Sequence, residues 1–226
     1  MATFPDVREE SSAVARRRLT KDERRARIMT AAAGVFAERG YDAASLDEIA
    51  EAAGISKPVI YDHFESKREL HISLLDSHFE EFLAFMSERV VGGSTPEERL
   101  ARGFDAFLEF VENHPYAWRL VFRDPVAADI EIMRAHERMR QRTTTAIAAL
   151  RGGRPESKTE FDGLDREASV ELLAQMIKTA GNGVAAWWYE HRDVPREKLV
   201  QAMMGFAWLG LERCESGERW RRGEGP

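Results

Sequence analysis

Four segments of this chain carry one signature, a Ser or Thr followed three residues later by Glu: Thr20 with Glu23, Ser45 with Glu48, Ser66 with Glu69, and Thr95 with Glu98. In such a capping box the hydroxyl accepts from the third backbone amide while the glutamate reaches back to the cap amide, so each marks a helix start. Pro96 follows Thr95 and suits the first helical position, where its missing N–H would be unpaired anyway. Stops fall at Gly40, Gly54, Gly92-Gly93 and Gly152-Gly153, and His114-Pro115 and Asp124-Pro125 break two more segments. Helical periodicity fills the intervals and no convincing strand alternation appears. The chain is expected to be all-α, with about nine helices at 21–39, 46–53, 57–64, 67–91, 96–113, 116–123, 126–150, 165–191 and 195–214. Residues 152–163 read as an exposed polar linker and the segment from Ser216 as a frayed tail.

A length of 226 residues with 43% hydrophobic side chains supports a sizeable core and argues against disorder. No apolar run approaches the roughly 20 residues that span a bilayer, and residues 1–18 lack the apolar middle of a signal peptide, so a cytoplasmic protein without membrane partners is expected. Cys214, the one cysteine, allows neither an internal disulfide nor a Cys-rich zinc site. Of the six histidines (63, 71, 78, 114, 136, 191), His71 and His78 are the pair that invites a metal. Seven residues of helix separate them by about 10.5 Å, too far to share one ion. No nucleophile elbow surrounds Cys214 and no strand precedes Gly152-Gly153, so no cofactor, metal or enzyme activity is expected.

The net charge is −6, from 33 Lys and Arg against 39 Asp and Glu, but its distribution is uneven. Arg16 to Arg27 (RRRLTKDERRAR) holds seven basic and two acidic residues, whereas residues 1–70 hold 12 basic and 13 acidic. The excess is a patch. It suits phosphate contact, because Lys and Arg release counterions from a nucleic-acid backbone; a solvated tail and a charged helix face explain it equally well.

The reader beside the patch is Ala44 to Phe64, ASLDEIAEAAGISKPVIYDHF. Two short helices are joined at Ala53-Gly54-Ile55, where Gly54 can take the positive φ of a tight turn. Leu46, Ile49, Ala50, Ile55, Val59, Ile60 and Phe64 give each helix one apolar side, to pack on Ile28, Val35 and Phe36 of the first helix. Ser56 caps the third helix, Pro58 sits in its first turn, and Ser56, Lys57, Tyr61, Asp62 and His63 form an outer face. This is a helix-turn-helix, whose second helix enters the major groove.

The stretch GYDAASLDEIAEAAGISKPVIYDHFESKREL, with the preceding AAAGVFAERG, resembles the DNA-binding signature of TetR-type (TetR/AcrR) bacterial transcriptional regulators over residues 24–75. The later helices match that family in number and length, and WRLVF (118–122) and FAWLGL (206–211) resemble actinobacterial regulators that respond to acyl-CoA in fatty-acid synthesis. The resemblance implies a flexible basic arm (1–19), a helix-turn-helix domain (20–66), a ligand-binding and dimerisation domain (67–215) and a tail (216–226). It also implies roles. Lys57, Pro58 and Tyr61 stand where the recognition helix meets DNA, with Tyr61 at a phosphate or a thymine methyl, and Ser56 and His63 beside them. Ser45 caps the second helix where its amides face a phosphate, Tyr41 lies beside it, Lys67 occupies a phosphate-clamp position, and Arg16 to Arg18 reach into the minor groove. Ser45 and Ser56 are equally well explained as caps alone, and the arm as disorder. Only Lys57 is cationic on the recognition helix, flanked by Asp62 and Glu65, so specificity falls to apolar and hydroxyl contacts.

Aromatics concentrate after residue 78. Phe82, Phe85, Met86, Phe107, Trp118 and Phe122, with Met133, Met139 and Met176, are expected to line an adaptable apolar cavity. Gln175 and Asn182 would orient a ligand there, and Arg119 and Arg123 would hold an anionic head group. Singly, the aromatic and methionine residues read as core, Gln175 and Asn182 as partners of buried backbone groups, and Arg119 and Arg123 as facing water. In the last two helices Leu172, Gly183, Trp187, Gly205, Leu209 and Leu211 recur at helical spacing, a face suited to a four-helix dimer interface. A homodimer would set two recognition helices about 34–36 Å apart on a palindromic double-stranded operator. The expected function is a repressor whose operator affinity is changed by a small hydrophobic ligand, an acyl-CoA or another lipophilic effector. The alternative is an all-helical small-molecule-binding protein or enzyme that does not bind DNA.

Overall fold

The computed structural model describes residues 19–90, 92–123, 129–152, 161 and 163–216, and side chains except those of 123, 150–152 and 214–216. The Arg16 to Arg18 arm, the expected helix start at 126, most of the 152–163 linker and the tail beyond 216 lie outside the described residues. Three capping boxes close as the sequence predicts, at Thr20, Ser45 and Thr95. The fourth is offset: the Glu69 amide donates to Ser66 Oγ at 3.1 Å, but the Glu69 carboxylate accepts from the amide of Glu65, one residue before the expected cap.

Among the described residues every element is helical. They are α1 (Lys21–Ala43), α2 (Leu46–Ala53), α3 (Lys57–Tyr61), α4 (Lys67–Val90), α5 (Pro96–Asn113), α6 (Pro115–Trp118), α7 (Ile130–Gly152), α8 (Arg166–Glu190) and α9 (Arg196–Ser216). A single π-helical turn, Arg119–Arg123, continues α6. The first expected stop is a kink: at Gly40 φ is +74°, yet the chain resumes helical turns to Ala43. The third helix is shorter than expected. After Tyr61 the bonds tighten, with the His63 amide on the Ile60 carbonyl at 3.0 Å, and this turn rolls Phe64 inward to 1% exposure.

Ile28, Ala32 and Phe36 of α1, Leu46, Ile49 and Ala50 of α2, and Ile60 of α3 form a buried three-helix head around the first half of α4. The same apolar cluster runs on without interruption through Leu74, Phe79 and Phe82 of α4 into Leu108 and Phe110 of α5, Ile132 of α7, Trp188 of α8 and Met203 of α9. In the body α4 packs on α5 and α7, α5 on α9, and α7 on α8. Gly181 of α8 faces the Phe107 ring of α5, where an added Cβ would stand at an ordinary contact distance of 3.6 Å. Among the described residues no helix is long and apolar enough to cross a membrane.

Gly54 ends α2 in the left-handed conformation, φ +62° and ψ +39°, with its amide on the Glu51 carbonyl at 2.9 Å. A Cβ at Gly54 would also lie 2.7 Å from Nη2 of Arg27, whose guanidinium covers the turn. Gly54→Ala should therefore destabilise the fold by about 1–2 kcal/mol, the cost of a left-handed residue with a Cβ. Urea denaturation checks this, and an unchanged midpoint would show that the turn relaxes.

Candidate nucleic-acid interface and effector body

The reading face is built by what the head hides. Because Ile60 is fully buried, its neighbour Tyr61 is turned outward at 52% exposure, alongside exposed Ser56 and Pro58. Ser56 stands at the start of α3 with extended backbone and makes no side-chain cap hydrogen bond, contrary to its expected capping role; only its carbonyl serves the helix, accepting from the Val59 amide at 3.0 Å. Ser45 is the reverse case. Its hydroxyl donates to Glu48 Oε2 at 2.9 Å and accepts from the Glu48 amide at 3.2 Å, so it is committed to the cap. These bonds, chiefly the one from the Ser45 side chain and then its amide, with Arg39 nearby, hold the Glu48 carboxyl below its usual range.

The cations expected at DNA are engaged within the protein. Lys57 Nζ lies 2.9 Å from Asp47 Oδ2 across the turn, a bond and a charge that push the ammonium up from its ordinary value. Lys67 does not present a free ammonium as a phosphate clamp. Its Nζ donates to the carbonyls of Tyr41 at 2.7 Å, Ala44 at 2.9 Å and Asp42 at 3.3 Å, which takes up all three N–H donors. Tyr41, expected beside Ser45 among the DNA-binding residues, packs inward: its ring lies under that ammonium at 4.5 Å and 4.8 Å from the His71 ring. Burial, then Asp129, pushes the Tyr41 phenol up. His63 is half-buried behind α3, and its carbonyl accepts from Arg25 Nη1 at 3.1 Å. Burial first, then Lys21 and Arg24, pulls the His63 imidazole down. Lys21 and Arg24 thus place α1's cationic start beside the end of α3.

In the body the predicted ligand residues divide. Phe82, Phe107 and Phe122 pack edge to face on one another at 4.9–6.3 Å, and Phe110 meets Phe82 at 5.1 Å. Trp118 is 1% exposed, with its indole N–H on Asn182 Oδ1 at 3.4 Å. Phe85 turns to Phe110 and His114, with the Arg89 guanidinium 3.4 Å above its ring, and Met86 is half-buried. Gln175 does not join the cluster. Seven residues before Asn182, it sits about 10.5 Å further along the helix, exposed, accepting from Thr144 Oγ1 at 3.3 Å. It lines an open polar groove of about 900 Å³ between α7 and α8, with Arg140, Thr144, Arg166 and Lys178. Met133 and Met176 also point outward, whereas Met139 is buried. Arg119 lies 5.9 Å from the Tyr189 ring, and the Arg123 side chain is outside the described residues.

The α8–α9 hairpin carries an exposed apolar stripe of Leu172, Met176, Trp187, Phe206 and Leu209, with Phe206 82% exposed. Gly183, Gly205 and Gly210 leave open space where a Cβ would stand. Leu211, expected on this face, turns inward and is buried.

Two family matches cover most of the described chain. Residues 28–74 match the N-terminal domain described as bacterial regulatory proteins, tetR family, and residues 96–210 match the tetracyclin repressor-like C-terminal domain. The chain belongs to the TetR family. It is 28% identical over 200 residues to the HTH-type transcriptional activator FasR of Mycolicibacterium smegmatis, across 86% of this chain and 85% of that one. To the HTH-type transcriptional repressor KstR2 of Mycobacterium tuberculosis it is 30% identical over 193 residues, across 84% and 91%. The crystal structure of the regulator FadR from Bacillus subtilis in complex with stearoyl-CoA shares the fold, with a TM-score of 0.65 at 21% identity over 86% of this chain and 99% of that one. This TetR-family protein is a DNA-binding transcriptional regulator.

Sequence reasoning missed the buried junction beneath the TetR-type head. His71 of α4 is 2% exposed, wedged between Phe36 at 4.9 Å and Tyr41, and both its ring nitrogens lack a hydrogen-bond partner among the described residues. His136 of α7 is buried beside it, with Nδ1 3.3 Å from the Val121 carbonyl. The signal was present, since His71 falls between Leu70 and Leu74 on α4's inward stripe. Burial, then His136 and Lys67, pulls the His71 imidazole down to about 4, and burial pulls His136 down as well. An unfolded imidazole takes its proton near pH 6.5. Between that pH and about 4 the unfolded chain binds more protons, so stability falls on acidification, by up to about 1.4 kcal/mol per pH unit for His71. His71→Leu should flatten the pH dependence of the urea midpoint in that window; an unaltered slope would exclude His71 as its source.

Proposed function

We propose that this TetR-family regulator is a homodimeric repressor that reads a palindromic duplex through Ser56, Pro58 and Tyr61. Its operator affinity is changed by a small hydrophobic ligand, a long-chain acyl-CoA, held in the aromatic body. The single observation that carries the reading is the outward turn of Tyr61 on a helix whose neighbour Ile60 is fully buried. It leaves Ser56, Pro58 and Tyr61 exposed together, hydroxyl and apolar groups suited to base edges in a major groove. The working division is a head at 20–66 and a body at 67–215. Repression follows the relative named KstR2, and the acyl-CoA follows the FadR complex with stearoyl-CoA. Phe82, Phe107, Trp118 and Phe122 supply the apolar surface for the acyl chain.

Selection from randomised duplex DNA should enrich a palindrome, and Tyr61→Ala should weaken its binding by roughly 10- to 100-fold, the worth of one good base contact. Stearoyl-CoA should shift operator affinity by about 5- to 150-fold. No enrichment at any salt concentration would defeat the DNA reading, and a flat response to stearoyl-CoA would defeat the effector.

The stripe on α8 and α9 supports the homodimer. A phenylalanine 82% exposed beside glycines with open space is a face awaiting close apolar contact. Phe206→Glu should convert the protein to a monomer in sedimentation equilibrium and abolish preference for a palindrome over a half-site. A dimeric Phe206→Glu protein would place the interface elsewhere.

A further inference from the structure

Resting on the DNA-binding reading above, we infer that Lys67 is a positioning residue for operator recognition, a three-point staple that fixes the α1–α2 corner of the head to the first turn of α4. The observation is convergence. One ammonium bonds three carbonyls of the short segment 41–44, at 2.7, 3.3 and 2.9 Å, and covers the Tyr41 ring. That segment follows the Gly40 kink and leads directly into Ser45, the cap of α2. Its carbonyls lie at a helix end, where backbone oxygens lack intrahelical partners and attract a cation. The first residue of α4 thereby sets where α2 begins and which way the helix-turn-helix points. An ammonium bonded this way has no N–H left for a phosphate.

The chemistry separates the staple from a phosphate contact. Arginine retains the charge and binds phosphate well, but its planar fork cannot aim three donors at three carbonyls that converge on one point. Lys67→Arg therefore behaves as wild type if the residue holds phosphate, and as a loss if it holds the corner.

The test is a titration of the selected operator with wild type, Lys67→Met and Lys67→Arg across a range of salt concentration, with amide hydrogen exchange on the free full-length proteins. Both variants should bind roughly 10- to 100-fold more weakly, the loss expected when hydrogen bonds to a charged group are removed, with the salt slope of wild type. Exchange at residues 44–48 should accelerate in both, while the α4 interior around Phe79 keeps its protection. Wild-type affinity in Lys67→Arg, or a salt slope lowered by about one in Lys67→Met, would overturn the staple and return Lys67 to the phosphate. Unchanged exchange at 44–48 would overturn it too. If wild type selects no duplex at all, the DNA reading fails, and the exchange comparison still decides whether the staple exists.

Discussion

A helix of 24 residues is about 36 Å long, and α4 uses that length to belong to the head and the body at once. Leu70, His71 and Leu74 close the core beneath α1, α2 and α3; Phe79 and Phe82, two to three turns later, are central to the aromatic packing of the body. The buried cluster shows no seam between the two. Close-packed interiors shift between discrete arrangements and do not deform smoothly, so any repacking around Phe82 is felt along a rod whose other end is fastened to the reading head.

The head spends its polar groups on holding its own shape. Ser45 and Glu48 close the start of α2, Asp47 takes Lys57, Arg25 ties the end of α3 to the chain, and Lys67 gathers the corner after α1. What is left outward on α3 is a hydroxyl at Ser56, the Pro58 ring and the Tyr61 phenol. On the proposed reading, phosphate attraction would be weighted toward α1, whose Arg25 reaches the end of α3 through the His63 carbonyl. Shape and apolar contact would then specify and a cationic flank would position, the usual division of labour at a duplex.

Local devices were legible in the sequence and tertiary ones were not. A capping box is closed within four residues, and Gly54 announces its own φ, so the helix starts and the central turn follow from adjacent letters. The end of α3 does not. Whether the chain continues helically past Tyr61 depends on Phe64 finding the core, and the tighter turn at 62–64 is the result. Lys67 looks like a phosphate ligand from its place at the head of α4; only the fold brings residues 41–44 under its ammonium. Gln175 and Asn182 share a helical face and look equivalent, yet one is set against Thr144 of α7 and the other against Trp118 of α6. Spacing along a helix gives a direction and leaves the neighbour unnamed.

The aromatic body and the staple together fix the scale of motion that control requires. Fifteen residues separate Phe82 from Lys67, about 22 Å along the axis. A tilt of α4 by about 5° around Phe82 would carry Lys67 roughly 2 Å. Hydrogen bonds of 2.7–3.3 Å do not survive a 2 Å displacement, so the 41–44 corner either follows α4 or is torn from it. Following costs less, because the corner otherwise leaves three carbonyls without their cation. In a two-fold dimer the two heads would move oppositely, changing their separation by up to about 4 Å against the 34–36 Å of one helical turn. On the proposed reading, an effector wedged between Phe82 and Phe122 would need only a small tilt to take both recognition helices out of register with adjacent major grooves.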